Sequence, residues 1–319
     1  MPDPGFGAPP LRAVFMGTPG FAVPSLVALS ECAGVTLVLC NPDRPAGRGR
    51  SVAPPPVKEE AVRRGIPVFQ PEKARHPDAV RRIAAEAPDL IVVVAYGHIL
   101  PKAILDIPRL GCINVHASLL PKYRGAAPIN WAVARGETET GITIMRMDEG
   151  MDTGPVLHVR KIPIGEEDTA ETMFSKLSLL GAEALREALR MLREGTLVET
   201  PQDASRATYA PMLKKEHGRI DWNRPAEEVR NLVRGMAPWP SAFTLHAGKT
   251  LKILSAGVER DPGEGTVPGE VVSLRRGGIA VACGEGVLRV ESVQPEGGRA
   301  MDAWAYAQGR RVFPGERLS

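Results

Sequence analysis

Cysteine is scarce in this sequence, aromatic residues are few, and no apolar run is long. The four cysteines, Cys32, Cys40, Cys112 and Cys283, form no CxxC pair and have no histidine cluster beside them. That speaks against a structural zinc site, and no metal is expected. Cys40 and Cys112 lie in apolar runs and read as buried thiols of a reducing compartment. The longest strongly apolar stretch, Leu90–Tyr96, falls far short of a membrane span. Met1–Pro10 lacks the basic-then-apolar order of a secretory signal. A cytoplasmic protein without membrane association is the expectation. A dominant charge sign is also missing: the formal net charge is +3, too small by itself to prove a polyanionic partner. The turn Met16-Gly-Thr-Pro-Gly20 lacks G-x-G-x-x-G spacing, so dinucleotide binding is disfavoured and a tight turn after a first strand is the plainer reading.

What is present suits a loop-rich α/β protein. The 319 residues are enough for two domains, and glycine (33) and proline (30) are frequent while apolar runs recur throughout. Strands are expected at Ala13–Gly17, Val35–Cys40, Ile66–Phe69, Leu90–Ala95, Gly111–His116, Gly141–Met147 and Gly154–Ile164, with helices between most of them and a long helix over Asp168–Arg193. The Leu90–Ala95 segment is apolar on both faces, the pattern of a parallel strand covered by helices. Alternation of this kind predicts a doubly wound, mostly parallel, Rossmann-like sheet over residues 1–196. A polar linker is expected over 197–217. From 218 to 319, five short strands with glycine-rich turns predict a small OB-like β-barrel.

The candidate chemistry centres on Gly111–Pro128. Asn114 and His116 are two residues apart on an expected strand, hence on one face. An amide and an imidazole are costly on a buried face unless something uses them. Together they suit addition to a carbonyl: the amide donates to a developing oxyanion, and the ring donates or shuttles a proton. Asp152, in the turn Met147-Asp-Glu-Gly-Met-Asp-Thr-Gly154, is the candidate partner, reached through the carboxyl ends of neighbouring parallel strands. Asp148 and Glu149 are rivals, and an aspartate that merely stabilises a glycine-flanked turn is the plain alternative. Between residues 41 and 58, four cations (Arg44, Arg48, Arg50, Lys58) face one anion (Asp43), a local +3. Such an insertion is a candidate nucleic-acid contact, expected to be mobile, and a solvated surface loop is its alternative.

Residues along nearly the whole chain carry a resemblance: MGTPGFAVPSL, DRPAGRGR, AYGHILPKAIL, GCINVHASLLPKYRGAAPINWA, ETGITIMRMDEGMDTGPVL and IDWNRPAEEV. The sequence resembles the family of 10-formyltetrahydrofolate-dependent formyltransferases. The DRPAGRG loop and the C-terminal barrel resemble the branch whose acceptor is initiator methionyl-tRNA. The resemblance implies a catalytic set of Asn114, His116 and Asp152. It implies a folate wall of Ser118, Leu119, Leu120 and Pro121, with Ile99 and Leu100 against the pterin. It implies tRNA contacts at Arg44, Arg48 and Arg50, with the C-terminal domain holding the tRNA backbone. No stable protein partner is evident in the sequence. A sugar amine or purine precursor as acceptor, or an inactive tRNA-binding protein on the same fold, are the competing readings. His98 stands at a variable family position.

Overall fold

Leu90-Ile-Val-Val-Val94 is buried at every residue, and its neighbours in the sheet follow from that. A strand with no polar face needs paired strands on both edges and cover on both sides. The computed structural model describes residues 11–46, 51–259 and 266–319. The chain divides into one unit of Met1–Gly125, Gly141–Ile162 and Phe174–Tyr209, and a second of Ala126–Thr140, Pro163–Met173 and Ala210–Ser319.

In chain order the elements are β1 (Arg12–Gly17), α1 (Val23–Cys32), β2 (Gly34–Leu39), β3 (Arg44–Ala46), β4 (Ser51–Ala53), α2 (Pro56–Arg63), β5 (Val68–Phe69), α3 (Pro77–Ala84), β6 (Leu90–Val94), α4 (Lys102–Leu105), β7 (Cys112–His116), β8 (Arg124–Gly125), α5 (Pro128–Ala134), β9 (Glu139–Arg146), β10 (Val156–Pro163), α6 (Ala170–Glu194) and β11 (Tyr209–Ala210). The main sheet of the first unit runs β10–β9–β7–β6–β1–β2–β5. Pairings β2–β5, β1–β2, β1–β6 and β6–β7 are parallel.

The strand after α5 breaks that pattern. β9 pairs antiparallel with β7, with Ile113 opposite Arg146 and His116 opposite Thr143. The parallel placement expected of this strand from its sequence does not hold. A parallel return needs a crossover packed on the sheet. The one helix between β7 and β9, α5, belongs instead to the second unit, where the Asn130 side-chain amide donates to the Gly235 carbonyl at 2.8 Å.

Helix α6 carries a buried stripe at helical spacing, Leu177, Gly181, Ala184, Leu185 and Ala188, and meets β7 at Gly181. A Cβ at position 181 would stand 3.1 Å from Val115 Cγ1 and 3.7 Å from Ile142 Cδ1. The absent side chain lets helix and strand approach closely. Since Val115 faces α6, Asn114 and His116 face the other way.

In the second unit come α7 (Ala226–Gly235), β12 (Ala242–His246), β13 (Lys249–Glu259), β14 (Val271–Arg275), β15 (Gly278–Ala282), β16 (Val287–Pro295) and α8 (Ala303–Arg310). The sheet order is β12–β13–β16–β15–β14. Its pairings β12–β13, β13–β16, β15–β16 and β14–β15 are antiparallel. Register shifts beside Ser255 bend β13. The two end strands, β12 and β14, are bridged by the chain's last residues. Leu245 and Ser319 exchange backbone hydrogen bonds of 2.7 and 3.0 Å, Val271 N donates to Glu316 O at 2.8 Å, and Leu318 N donates to Gly269 O at 2.8 Å. The expected barrel is therefore closed by a segment that carries no strand pattern of its own. Its core holds Trp222, Val229, Ile253, Val281, Leu288 and Leu318, and the Trp222 indole N–H is satisfied by Thr244 Oγ1 at 3.0 Å.

Candidate active site

On the face of β7 away from α6, His116 is buried and Asn114 half-buried. After His116 the chain enters Ala117–Gly125. Ser118 is fully buried and donates its hydroxyl to Lys122 O at 2.6 Å, while its own carbonyl accepts from Thr143 Oγ1 at 2.7 Å. Thr143 Oγ1 in turn accepts from Leu120 N at 3.1 Å. Ser118 thus shapes the loop from inside, and its hydroxyl is spent there. Leu119, Leu120 and Pro121 are half-buried, joined by a cis Leu120–Pro121 bond. Ile99 is 83% exposed, whereas the adjacent Leu100 is buried in the core. Of the residues expected to line the folate site, Leu119, Leu120, Pro121 and Ile99 are accessible, whereas Ser118 and Leu100 are buried.

Asp152 comes from the hairpin loop between β9 and β10. Because β9 runs antiparallel, that loop leaves the sheet beside the start of β7, where Met147 N donates to Cys112 O at 2.8 Å. The expected route through the carboxyl ends of parallel strands is thus replaced by a loop folded back over the β7 face. The outcome is nonetheless a cluster. Asn114 Nδ2 lies 3.4 Å from Asp152 Oδ1, His116 Nδ1 lies 3.7 Å from the same oxygen, and Gly125 N donates to Asp152 Oδ2 at 2.8 Å. Of the rivals, Asp148 accepts from Gly150 N at 3.0 Å and from Thr153 Oγ1 at 2.6 Å, both within its own turn. Glu149 is exposed.

The imidazole is fixed by a group that sequence reading passed over. His116 Nε2 stands 3.0 Å from the carbonyl oxygen of Tyr123. A carbonyl only accepts, so Nε2 carries a proton. In the neutral ring Nδ1 then holds the lone pair and points toward Asp152. At 3.7 Å that pair is too far apart for a direct hydrogen bond. The tautomer is thus set by the Tyr123 backbone.

Within the basic segment β3 and β4 pair antiparallel, with Arg44 opposite Ala53 and Pro45 opposite Val52. Its base is anchored at Asp43. Asp43 accepts from Gln70 Nε2 at 2.7 Å and from Lys58 Nζ at 2.6 Å. These two bonds hold the Asp43 carboxyl below the usual carboxylate range. Lys58 is therefore committed to Asp43, and Arg44 is the exposed cation at the base. Arg48 and Arg50 lie outside the described residues. His98 Nε2 contacts Asn41 Oδ1 at 2.6 Å, tying the segment before Ile99 to the foot of this strand pair. Burial, then the nearby Arg44 charge, lowers the His98 pKa from its ordinary value.

Among the described residues there is no group of three or more His, Cys, Asp or Glu placed to hold a metal ion. No helix among them is long and apolar enough to cross a membrane.

A half-buried amide and a buried imidazole beside one carboxylate, on a Rossmann-like sheet followed by an antiparallel β domain, define a class. Residues 12–189 match the formyl transferase family and residues 212–311 match the formyl transferase C-terminal domain. The chain belongs to the formyl transferase family. Within it, the chain is 52% identical to the methionyl-tRNA formyltransferase of Geobacter metallireducens over 309 residues, 97% of this chain and 98% of that one. It is 51% identical to the methionyl-tRNA formyltransferase of Sorangium cellulosum over 306 residues, 96% of this chain and 98% of that one. Among solved structures, an N-formyltransferase from Helicobacter canadensis, in complex with folinic acid and dTDP-3-aminofucose, shares the fold. Its TM-score is 0.65 at 16% identity, over 91% of this chain and 100% of that one.

Proposed function

We propose that this chain transfers the formyl group of 10-formyltetrahydrofolate to the α-amine of initiator methionyl-tRNA. The single observation that carries the reading is the Asn114–Asp152–His116 cluster, with separations of 3.4 and 3.7 Å, in a chain about half identical over nearly its whole length to methionyl-tRNA formyltransferases. The amine attacks the formyl carbon, the new C–N bond forms, and the carbonyl π pair moves onto oxygen. Asn114 donates to that oxyanion through the amide hydrogen not directed at Asp152. His116 Nδ1 takes the proton shed by the amine, since Nε2 is already occupied by Tyr123 O. The imidazolium then lies beside the Asp152 carboxylate. It returns the proton to N10 as the old C–N bond breaks and tetrahydrofolate leaves. The nucleophile is the substrate's own amine, so no covalent enzyme intermediate is needed.

In this reading Leu119, Leu120, Pro121 and Ile99 form the apolar wall of the folate site, with Ser118 and Leu100 behind it. Arg44, Arg48 and Arg50 meet tRNA phosphates. Residues 1–196 form the catalytic part, 197–217 the linker and 218–319 the part that holds the tRNA backbone. The protein works in the cytoplasm without a stable protein partner. The test is direct: supply the purified chain with 10-formyltetrahydrofolate and charged initiator tRNA, and resolve formylmethionyl-tRNA from methionyl-tRNA. Formylation that requires the charged tRNA supports the reading. Turnover only with a free amino sugar or a purine-precursor amine would move the acceptor elsewhere. No turnover with any amine would leave a binding protein.

A further inference from the structure

Residues 200–209 lie in a stretch read from sequence as linker, and they lie between the two matched family segments. They strap the two loops of the candidate site together. On one side, Tyr123 N donates to Thr208 Oγ1 at 2.9 Å and Arg124 N to Thr208 O at 2.9 Å. This holds the turn whose Tyr123 carbonyl fixes His116. On the other side, Gln202 Nε2 donates to two carbonyls of the β9–β10 loop, Asp152 O at 2.9 Å and Gly154 O at 2.7 Å. Gln202 Oε1 in turn accepts from Arg124 Nε at 3.1 Å and Nη2 at 2.7 Å. Arg124 is almost fully buried, so its guanidinium is a fixed donor.

The loop needs such a hold. Asp152 has φ +54 and Tyr123 has φ +60, left-handed conformations that persist in residues with side chains only when their surroundings impose them. The side-chain amide of Gln202 uses both of its donors on the strained turn and its acceptor on the opposing loop.

We propose that Gln202 is a positioning residue for formyl transfer: through Arg124 and the carbonyls of Asp152 and Gly154 it sets the Asp152 carboxylate against Asn114 and His116. The proposal rests on the assignment of Asp152 given above. Misplacing a reacting group by about 1 Å costs up to about 10²-fold in rate, so loss of the clamp should be read in kcat.

The experiment compares Gln202→Glu and Gln202→Leu, each alone and combined with Asp152→Asn, in the full chain. Gln202→Glu keeps an acceptor for Arg124 and removes both donors to the turn. If Gln202→Leu fails to fold, this variant decides alone. The expected result is a fall in kcat of about tenfold or more, with KM for charged tRNA and for the folate changed less than about threefold. In the Asp152→Asn background the same substitutions should change kcat by less than about twofold, because the group they position is already disabled. A kcat within about twofold of the parent for Gln202→Glu overturns the proposal. So does an equal fold-loss in both backgrounds, which is the mark of a general structural role. If Asp152→Asn alone leaves turnover intact, the Asp152 assignment itself fails; if it abolishes turnover while Gln202→Glu does not, only the positioning role fails.

Discussion

Replacing Asn114 separates the loss of a hydrogen-bond donor from the gain of a charge. Asn114→Ala removes the amide aimed at the oxyanion, and loss of one such donor typically costs ~10²–10³ in rate. Asn114→Asp removes the same donor and sets a second carboxylate at the place of Asn114 Nδ2, 3.4 Å from Asp152 Oδ1. Two unit charges at that separation repel by about 5 kcal/mol at an effective dielectric of about 20. The new charge also faces the oxygen on which negative charge develops. Even a third of that repulsion carried into the transition state exceeds a factor of about ten. At pH 8 the aspartate variant should therefore fall at least about tenfold below the alanine variant. As pH falls, the two carboxylates share a proton and the excess penalty shrinks, so the variants should converge. The assay is kcat/KM for formylation of charged initiator tRNA between pH 5.5 and 8.5, both variants side by side. An aspartate variant equal to or faster than the alanine variant throughout would refute the placement of Asn114 beside Asp152 at the developing oxyanion. So would an alanine variant within about twofold of wild type.

Arg44→Ala should raise KM for charged tRNA while leaving folate affinity unchanged. It should lower the slope of log KM against log salt by about one per lost phosphate contact, and equal slopes would make Arg44 a passive surface cation. Leu318→Ala should destabilise the chain by about 2–5 kcal/mol in urea unfolding, because Leu318 is buried in the barrel core beside the closing tail; a midpoint unchanged from wild type would contradict that role. Burial pushes the Cys40 and Cys283 thiols up to about 11 and Cys112 up to about 12. At pH 8 these three thiols stay protonated in the folded protein. Iodoacetamide should therefore modify the half-exposed Cys32 well before the others, as read by mass spectrometry. Rapid native labelling of Cys112 would show that the core around β7 opens.

The parts of the fold that repeat with a period were legible in the sequence. The all-apolar run at Leu90–Val94 gave a central parallel strand, and the two-residue spacing of Asn114 and His116 put both on one face. The polarity of β9 was not legible, because a strand's sequence does not encode the direction of its neighbour. Direction was decided by where α5 packs. The barrel strands were readable from their turns, but the closing role of Gly315–Ser319 was not. That segment pairs through backbone atoms, and any sequence supplies those. Asp152 was reached from the sequence by a mistaken path, since its loop comes from an antiparallel strand and folds back over β7.

The same distinction explains why Gln202 and the Tyr123 carbonyl went unread. Polar residues from 197 to 217 show no apolar periodicity, and a backbone carbonyl has no residue type at all. Yet the two candidate jaws are loops that carry left-handed residues, Tyr123 and Asp152, which persist only where their surroundings impose them. Their precision has to be imported, from β7 and Thr143 below and from the Thr208 and Gln202 contacts across. Thr143 Oγ1 serves the loop beside His116, donating to Ser118 O and accepting from Leu120 N, and one amide serves Asp152 and Arg124. Contacts of this kind add about 0.5–1.5 kcal/mol each between neutral groups and about 1.5–3 kcal/mol where the Arg124 guanidinium donates, and they act on positions where displacements near 1 Å are costly to the rate. Damage to the strap should therefore show in kcat before it shows in the unfolding midpoint, whereas damage to the barrel core at Leu318 should show the reverse order.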